Sequence, residues 1–259
     1  MSSLDYTVNV LSDLIVESKM ITVFTGAGVS TESGIPDFRS PGGIWSRYNP
    51  EEFTIQKFLN NPESRKTHWK MLTEAGLTTE AKPNPAHYAI TELHQLGKLD
   101  CVITQNVDNL HQKAGVPEDI VFELHGNMQR AVCLSCHRRF PFNEVLCRIR
   151  EGEEIPDCPY CHGILKPDAV FFGEALSQTI LAEATRRSRN CDLLIIMGST
   201  LIVYPAAYIP MYAKEAGAKL AIVNLSETPL DRQALVVIRG KVGEIMSKVM
   251  EKVRNKIFP

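Results

Sequence analysis

The chain has 259 residues, 44% of them hydrophobic and 22% charged, with 28 Lys and Arg against 30 Asp and Glu. These proportions exclude collagen, coiled coil and wholesale disorder, and a formal charge of −2 gives no general attraction to nucleic acid or to an anionic membrane. No apolar run approaches the roughly 20 residues of a membrane span, and the start Met1-Ser2-Ser3-Leu4-Asp5 lacks a secretory pattern, so the expectation is a cytoplasmic globular protein. It should work as a monomer, with no membrane partner and no direct nucleic-acid partner.

From Leu4 to Glu17, Val8, Leu11, Leu14 and Ile15 recur at helical spacing and predict an amphipathic helix. Met20 to Thr25 is a compact apolar run that stops at Gly26-Ala27-Gly28, a buried strand entering a tight turn. A stretch rich in Pro, Gly and aromatic residues follows, about Ser30 to Lys82, and suggests a lid or helical module. Strand-like runs return at Asp100–Thr104, Asp192–Met197 and Lys219–Asn224, with helices expected between them; buried strands separated by helices imply a parallel sheet covered on both faces. The interval from about Asn127 to Lys166 breaks the rhythm and holds no strong apolar strand, so it needs another source of stability. At the end, Val242, Ile245, Met246, Val249, Met250 and Val253 share one helical stripe.

The seven cysteines are an odd number in a chain of this length, which argues against a disulfide framework. Cys133/Cys136 and Cys158/Cys161 form two Cys-x-x-Cys pairs with 21 residues between them. Four thiolates with no open position describe structural zinc. The competing readings are haem, since each pair is followed by His137 or His162, and a thioredoxin-type redox pair; the first wants an exported protein and the second does not explain a duplicate. Cys101, Cys147 and Cys191 stand alone in mostly apolar company and read as small buried side chains.

Gly26-Ala27-Gly28-Val29-Ser30 after a strand can offer backbone amides to a phosphate, although Thr31 stands where the usual dinucleotide fingerprint has its third glycine. A plain tight turn fits these glycines equally well. The next stretch, Ser33-Gly34-Ile35-Pro36-Asp37-Phe38-Arg39-Ser40, could fix a charged, hydroxyl-rich ligand through Arg39 and Asp37 and shield it with Phe38. Gln105-Asn106-Val107-Asp108 follows a strand at its carboxyl end, where open sheets bind ligands; a solvated loop is the alternative. His125, near a strand-like run at Ile120-Val121-Phe122, is a candidate general base or an ordinary structural histidine.

Taken together, Gly26 to Ser30, Phe38-Arg39-Ser40, Thr104-Gln105-Asn106-Val107-Asp108-Asn109-Leu110-His111 and Leu124-His125-Gly126 resemble the sirtuins, NAD-dependent protein-lysine deacylases. The four cysteines, Phe172-Gly173-Glu174, Gly198-Ser199-Thr200-Leu201 and Asn224-Leu225-Ser226 continue the series in the family's order, so the likeness spans roughly residues 10 to 250. It implies an α/β fold: a doubly wound, Rossmann-like parallel sheet with a smaller inserted zinc-binding domain and a helical module. The NAD-binding domain would comprise residues 1–29, 83–126 and 167–259, the cofactor loop and helical module 30–82, and the zinc module 127–166.

The resemblance also implies roles. Gly26, Ala27, Gly28, Ser30, Pro36, Asp37, Phe38, Arg39, Trp45, Gln105, Gly198, Ser199, Thr200, Asn224, Leu225, Ser226 and Val242 would hold NAD. Asn106 and Asp108, with Ile35, would form its nicotinamide end, and Asn106 would also be catalytic. His125 would be the base on the nicotinamide ribose. Val170, Phe171, Phe172, Gly173 and Glu174 would hold the peptide by strand addition. One zinc would sit on Cys133, Cys136, Cys158 and Cys161. The implied reaction moves an acetyl group from lysine to ADP-ribose, releasing nicotinamide and O-acetyl-ADP-ribose, behind a closing loop from Ser40 to Asn49.

Departures bear on the substrate. Acid-selective members carry Tyr and Arg three residues apart in the helical module, whereas this chain has His68-Trp69-Lys70-Met71-Leu72 and no Tyr between Pro50 and His87. Neutral acyl groups, acetyl first, are therefore expected. Gly198-Ser199-Thr200 varies from the family's usual Gly-Thr-Ser or Gly-Ser-Ser but keeps both hydroxyls. The short termini suggest a minimal catalytic core. Transfer of ADP-ribose to protein, preference for longer neutral acyl groups, and a non-catalytic NAD-binding or zinc-ribbon module are the alternatives; the combined presence of His125, Asn106, Asp108 and Arg39 speaks against the last.

Overall fold

The computed structural model describes residues 3–74 and 81–258. Residues 1–2, 75–80 and 259, which fall in the expected segments 1–29, 30–82 and 167–259, lie outside the described residues.

In chain order, helix α1 (Ser3–Glu17) leads into strand β1 (Ile21–Thr25), followed by short helical turns and helices α2 (Ile55–Asn60), α3 (Pro62–Glu74) and α4 (Pro85–Gln95). Next come β2 (Leu99–Thr104), α5 (Leu110–Lys113), β3 (Val121–Glu123), β4 (Gly126–Cys133), β5 (Arg139–Pro141), α6 (Phe142–Arg150) and β6 (Leu165–Ala169). The chain closes with α7 (Gln178–Asn190), β7 (Leu193–Met197), α8 (Ile209–Glu215), β8 (Lys219–Asn224), β9 (Val236–Arg239) and α9 (Val242–Ile257).

Side chains alternate along a strand, so a strand apolar throughout must have both faces covered. Val23, Val102, Ile195 and Val223 pack with α1, α4 and α9, while Phe24, Ile103, Ile196 and Ile222 pack with α7 and α8. The result is a six-stranded sheet in the order β3-β2-β1-β7-β8-β9, every pairing parallel. The chain starts in the middle at β1, builds outward to β3, then re-enters beside β1 with β7 and builds the other way. The reversal of strand order between β1 and β7 opens a crevice at their carboxyl ends.

The interval 127–166 is better built than its sequence suggests. An antiparallel three-stranded sheet, β5-β4-β6, carries α6, whose Phe142, Val145 and Leu146 form a buried stripe. That stripe packs with Met128, Ala131 and Leu165, and α3 contributes Trp69, Met71 and Leu72 to the same core. The apolar surface missing from 127–166 is thus supplied by a helix that precedes it by more than fifty residues, which no local pattern could reveal. Cys147 is a correction: it lies on the outer face of α6, opposite the buried stripe, and is exposed, whereas Cys101 and Cys191 are buried as expected.

Gly126 marks the exit from the large sheet into the small one. Its φ is +78°, and an added Cβ would sit 2.1 Å from the Asp168 carbonyl oxygen on the returning strand β6. Only glycine allows the two crossing chains this close.

Candidate active site

Every strand of the large sheet delivers residues to one cleft of about 580 Å³. Gly26, Ala27 and Gly28 follow β1; Gln105 and Asn106 follow β2; His125 follows β3; Gly198, Ser199 and Thr200 follow β7; Asn224, Leu225 and Ser226 follow β8; Val242 follows β9. Pro36, Asp37, Phe38 and Arg39 close one side.

The two central turns meet backbone to backbone. Gly28 donates to the Gly198 carbonyl at 2.8 Å, and a Cβ on Gly198, whose φ is +63°, would lie 2.2 Å from Val29 N. Such a seam, with no side chain in the way, lets a phosphate approach main-chain amides, and it fits a dinucleotide. The chain continues into two short 3-10 turns, Ala27–Val29 and Thr31–Ser33, instead of a long helix, consistent with the missing third glycine.

Behind the cleft lies a buried polar network. Ser30 Oγ donates to Asp108 Oδ2 at 2.7 Å and accepts from Asn106 Nδ2 at 3.1 Å. His87 Nδ1 accepts the Asn84 N–H at 3.3 Å, which leaves its proton on Nε2, 3.5 Å from Ser30 Oγ. A second branch runs from His111 Nε2 to Thr25 Oγ1 (2.9 Å) and on to Thr104 Oγ1 (2.8 Å), which also accepts the Asn106 N–H at 3.0 Å. Burial holds both histidines neutral: His87 falls to about 4, partly opposed by the Asp108 charge, and His111 to about 3. Gln105 Oε1 accepts from Ser199 Oγ at 2.9 Å, linking the turns after β2 and β7.

His125 has the arrangement of a poised base. Its Nδ1 lies 3.0 Å from the Gln105 carbonyl oxygen, which can only accept, so the proton sits on Nδ1 and the lone pair on Nε2. Burial lowers its affinity for a second proton, with the Gln105 hydrogen bond acting the other way.

Beyond the cleft, Trp45 bridges two surfaces: its ring centroid is 5.3 Å from Phe38 and 5.7 Å from Phe172. The segment Val170–Glu174 runs beside it. Val170 N–H donates to the His125 carbonyl at 2.8 Å, and Phe172 exchanges backbone bonds with Phe53 and Ile55 (3.1 and 2.9 Å). Away from this site, the Sγ atoms of Cys133, Cys136, Cys158 and Cys161 all lie within 4.8 Å of one another, with Cys133–Cys161 at 3.5 Å and Cys136–Cys158 at 3.7 Å. Four thiolates around zinc at about 2.3 Å would stand about 3.8 Å apart, so the cluster fits one structural ion with no vacant position.

The model of the Sir2 family matches residues 26–205. A protein of Pyrobaculum aerophilum named NAD-dependent protein deacetylase 1 is 44% identical over 260 residues, covering 99% of this chain and 100% of that protein. The chain belongs to the Sir2 family. A solved structure described as "Structural Basis for the Mechanism and Regulation of Sir2 Enzymes" is similar, with a TM-score of 0.88, 43% identity, and 97% of this chain and 99% of the other covered. Another, "Sir2-p53 peptide-NAD+", has a TM-score of 0.85 and 40% identity, covering 93% and 96%.

Against this Sir2 framework, not every expected residue lines the cleft. Ser30 and Asp108 lie behind it in the polar network, Ile35 donates its N–H to the Ser30 carbonyl at 3.3 Å, and Trp45 stands in the aromatic wall. The Asp37 carboxylate is occupied in folding its own loop, accepting from Arg39 N (2.9 Å), Ser40 N (2.8 Å) and Ser40 Oγ (2.5 Å). Phe171 turns inward against His68, with ring centroids 4.6 Å apart, whereas Phe172 is exposed. Residues not singled out from sequence also line the cleft: Thr31, Glu32, Ile202, Val203, Gly240 and Lys241. The last two follow β9, a four-residue strand too short to stand out, though Gly240 before an amphipathic stripe was a readable sign.

Proposed function

We propose that this chain is an NAD-dependent protein-lysine deacetylase, moving acetyl from lysine to ADP-ribose with release of nicotinamide and O-acetyl-ADP-ribose. The observation that carries the reading is the His125 tautomer: a neutral imidazole in the cleft wall, its proton tied to the Gln105 carbonyl and its Nε2 lone pair available. The names of the relatives support the same activity, and so does a related structure described with peptide and NAD+.

Bound NAD would supply an activated glycosidic bond whose departing nicotinamide leaves a ribose carbon open to an acyl oxygen. The protein's part follows from its own groups. The N–H groups of Gly26, Gly28 and Gly198 are held by the carbonyls of Met197, Gly198 and Val223, so these glycines would admit the phosphates by presenting no side chain, with Arg39 as counter-charge, and Asn224 and Ser226 would serve the far end of the cleft. Asn106, held from behind by Ser30 and Asp108, would present a fixed amide at the reacting end. His125 Nε2 would take a proton from a ribose hydroxyl. Phe38 and Trp45 would keep water from the cleft while the loop Ser40–Asn49 closes, and Val170–Gly173 would pair with the acyl-lysine peptide, whereas Glu174, expected among the peptide contacts, has its carboxylate and N–H bonded within its own loop.

We assign residues 1–29, 83–126 and 167–259 to NAD binding, 30–82 to the cofactor loop and helical module, and 127–166 to the zinc module. The core that α3 shares with α6 supports treating the last two as mechanically linked. Among the described residues no helix is long and apolar enough to cross a membrane. A cytoplasmic site of action agrees with seven cysteines that form no disulfide, since disulfides are rare in a reducing compartment. We propose a monomer, and a net charge of −2 agrees with a protein that makes no direct nucleic-acid contacts.

Incubation with acetyl-lysine peptide and NAD, read by mass spectrometry, tests the function. Deacetylated peptide and O-acetyl-ADP-ribose are expected in equal amounts, and His125→Ala should lose turnover while still binding NAD. ADP-ribosylated protein without O-acetyl-ADP-ribose would establish the transferase instead.

A further inference from the structure

Lys166 is a charged residue where charge is costly: its side chain is 3% exposed. A buried ammonium is tolerable only when its donors are matched, and all three have partners here. Nζ donates to the carbonyls of Pro167 (3.1 Å) and Ala169 (2.5 Å) and to Glu174 Oε2 (3.1 Å), and it stands 4.4 Å from the Phe171 ring centre. The same Glu174 oxygen accepts the Phe171 N–H at 2.9 Å, and the Glu174 N–H returns to the Phe171 carbonyl at 3.0 Å. Segment 167–174 is therefore wound around one ammonium. Burial pulls Lys166 below its ordinary range and Glu174 opposes that loss, so the pair depends on staying intact.

A simple fold staple would join distant elements, whereas an apolar side chain would serve a core at least as well. Lys166 instead collects backbone and carboxylate groups within eight residues of itself. The segment it gathers is the one whose Val170 N–H is bonded to the His125 carbonyl and whose Phe172 reaches Trp45.

We propose that Lys166 is a positioning residue for the acyl-lysine peptide: by gathering Pro167, Ala169 and Glu174 it fixes Val170–Gly173 as the edge against which the peptide strand pairs. The inference rests on the reading of that segment as the peptide edge. Lys166 would touch neither peptide nor NAD, and would act through the shape of the loop.

The test compares wild type with Lys166→Met, which keeps length and removes charge and donors, and with Glu174→Gln, which removes only the charge of its partner. In steady-state kinetics on an acetyl-lysine peptide, Lys166→Met should raise the peptide KM about tenfold and Glu174→Gln severalfold, with the NAD KM within about twofold. Hydrogen exchange of the stretch 167–176, measured without peptide or NAD, should speed up in both variants and stay slow in wild type. That second readout separates the two ideas: a wild type inactive on every acyl-lysine peptide would sink the functional reading even if exchange shows the clamp. An active wild type whose peptide KM is unchanged in Glu174→Gln, or equal rises in peptide and NAD KM, would overturn the positioning role. If Lys166→Met does not fold, Glu174→Gln decides by the same two measurements.

Discussion

Replacing Gly198 by Ala tests the backbone seam beneath the cofactor cleft. Two costs add. The left-handed φ of +63° costs a residue with a Cβ roughly 1–2 kcal/mol. The new Cβ would also meet Val29 N at 2.2 Å and Gly28 C at 2.5 Å, main-chain atoms that cannot escape by changing rotamer. Overpacking of this kind costs about 1–3 kcal/mol, and the strain should part the turns after β1 and β7. Gly97 is a matched control: its φ is +68° and an added Cβ meets nothing within 4 Å. Gly97→Ala should thus show the conformational cost alone. Thermal melting of both variants should differ by roughly 2–12 °C, the equivalent of about 1–3 kcal/mol in a chain of this size. Calorimetric titration with NAD should show weaker binding for Gly198→Ala only. Equal melting temperatures and equal NAD affinities would refute the argument that close backbone approach, and not the turn conformation, makes glycine necessary here.

Metal analysis should find one zinc per chain, and its removal by a chelator should abolish near-ultraviolet circular dichroism from the core around Trp69 and Phe142, since structural zinc contributes about 10–16 kcal/mol to such modules. A metal-free protein with an intact spectrum would contradict this. The acid limb of the kcat/KM profile should lie below the ordinary imidazole range near 6.5, because burial lowers the pKa of His125 and keeps the base form to lower pH; a limb at or above that range would remove His125 as the group titrating. His68, His87 and His111 have folded pKa values near 3, 4 and 3, so the unfolded chain binds more protons once pH drops below about 6.5. Stability is complete above that pH and should decline toward pH 4, by up to about 1.4 kcal/mol per pH unit for each histidine, as followed by urea unfolding. A urea midpoint that holds level over this window would mean these side chains are solvated.

The amino-acid sequence by itself determined the strands β1, β2, β7 and β8, because each carries a short, mainly apolar run with no polar alternation, the pattern of a strand covered by helices on both faces. It determined the candidate zinc ligands as well, since Cys-x-x-Cys is a local arrangement whose chemistry does not depend on what lies far along the chain. Tertiary structure decided the rest. That Ser30, Asn106 and Asp108 form one hydrogen-bonded unit follows from β1 and β2 lying side by side, which brings together residues 76 and 78 positions apart. The proton on His125 Nδ1 is set by a carbonyl 20 residues earlier, and the burial of Lys166 by a loop that folds back over it. The core of 127–166 escaped the sequence because its apolar surface is completed by Trp69 and Leu72 from α3. Periodicity reports how one segment meets an environment; which segment provides that environment is fixed only when the whole chain packs.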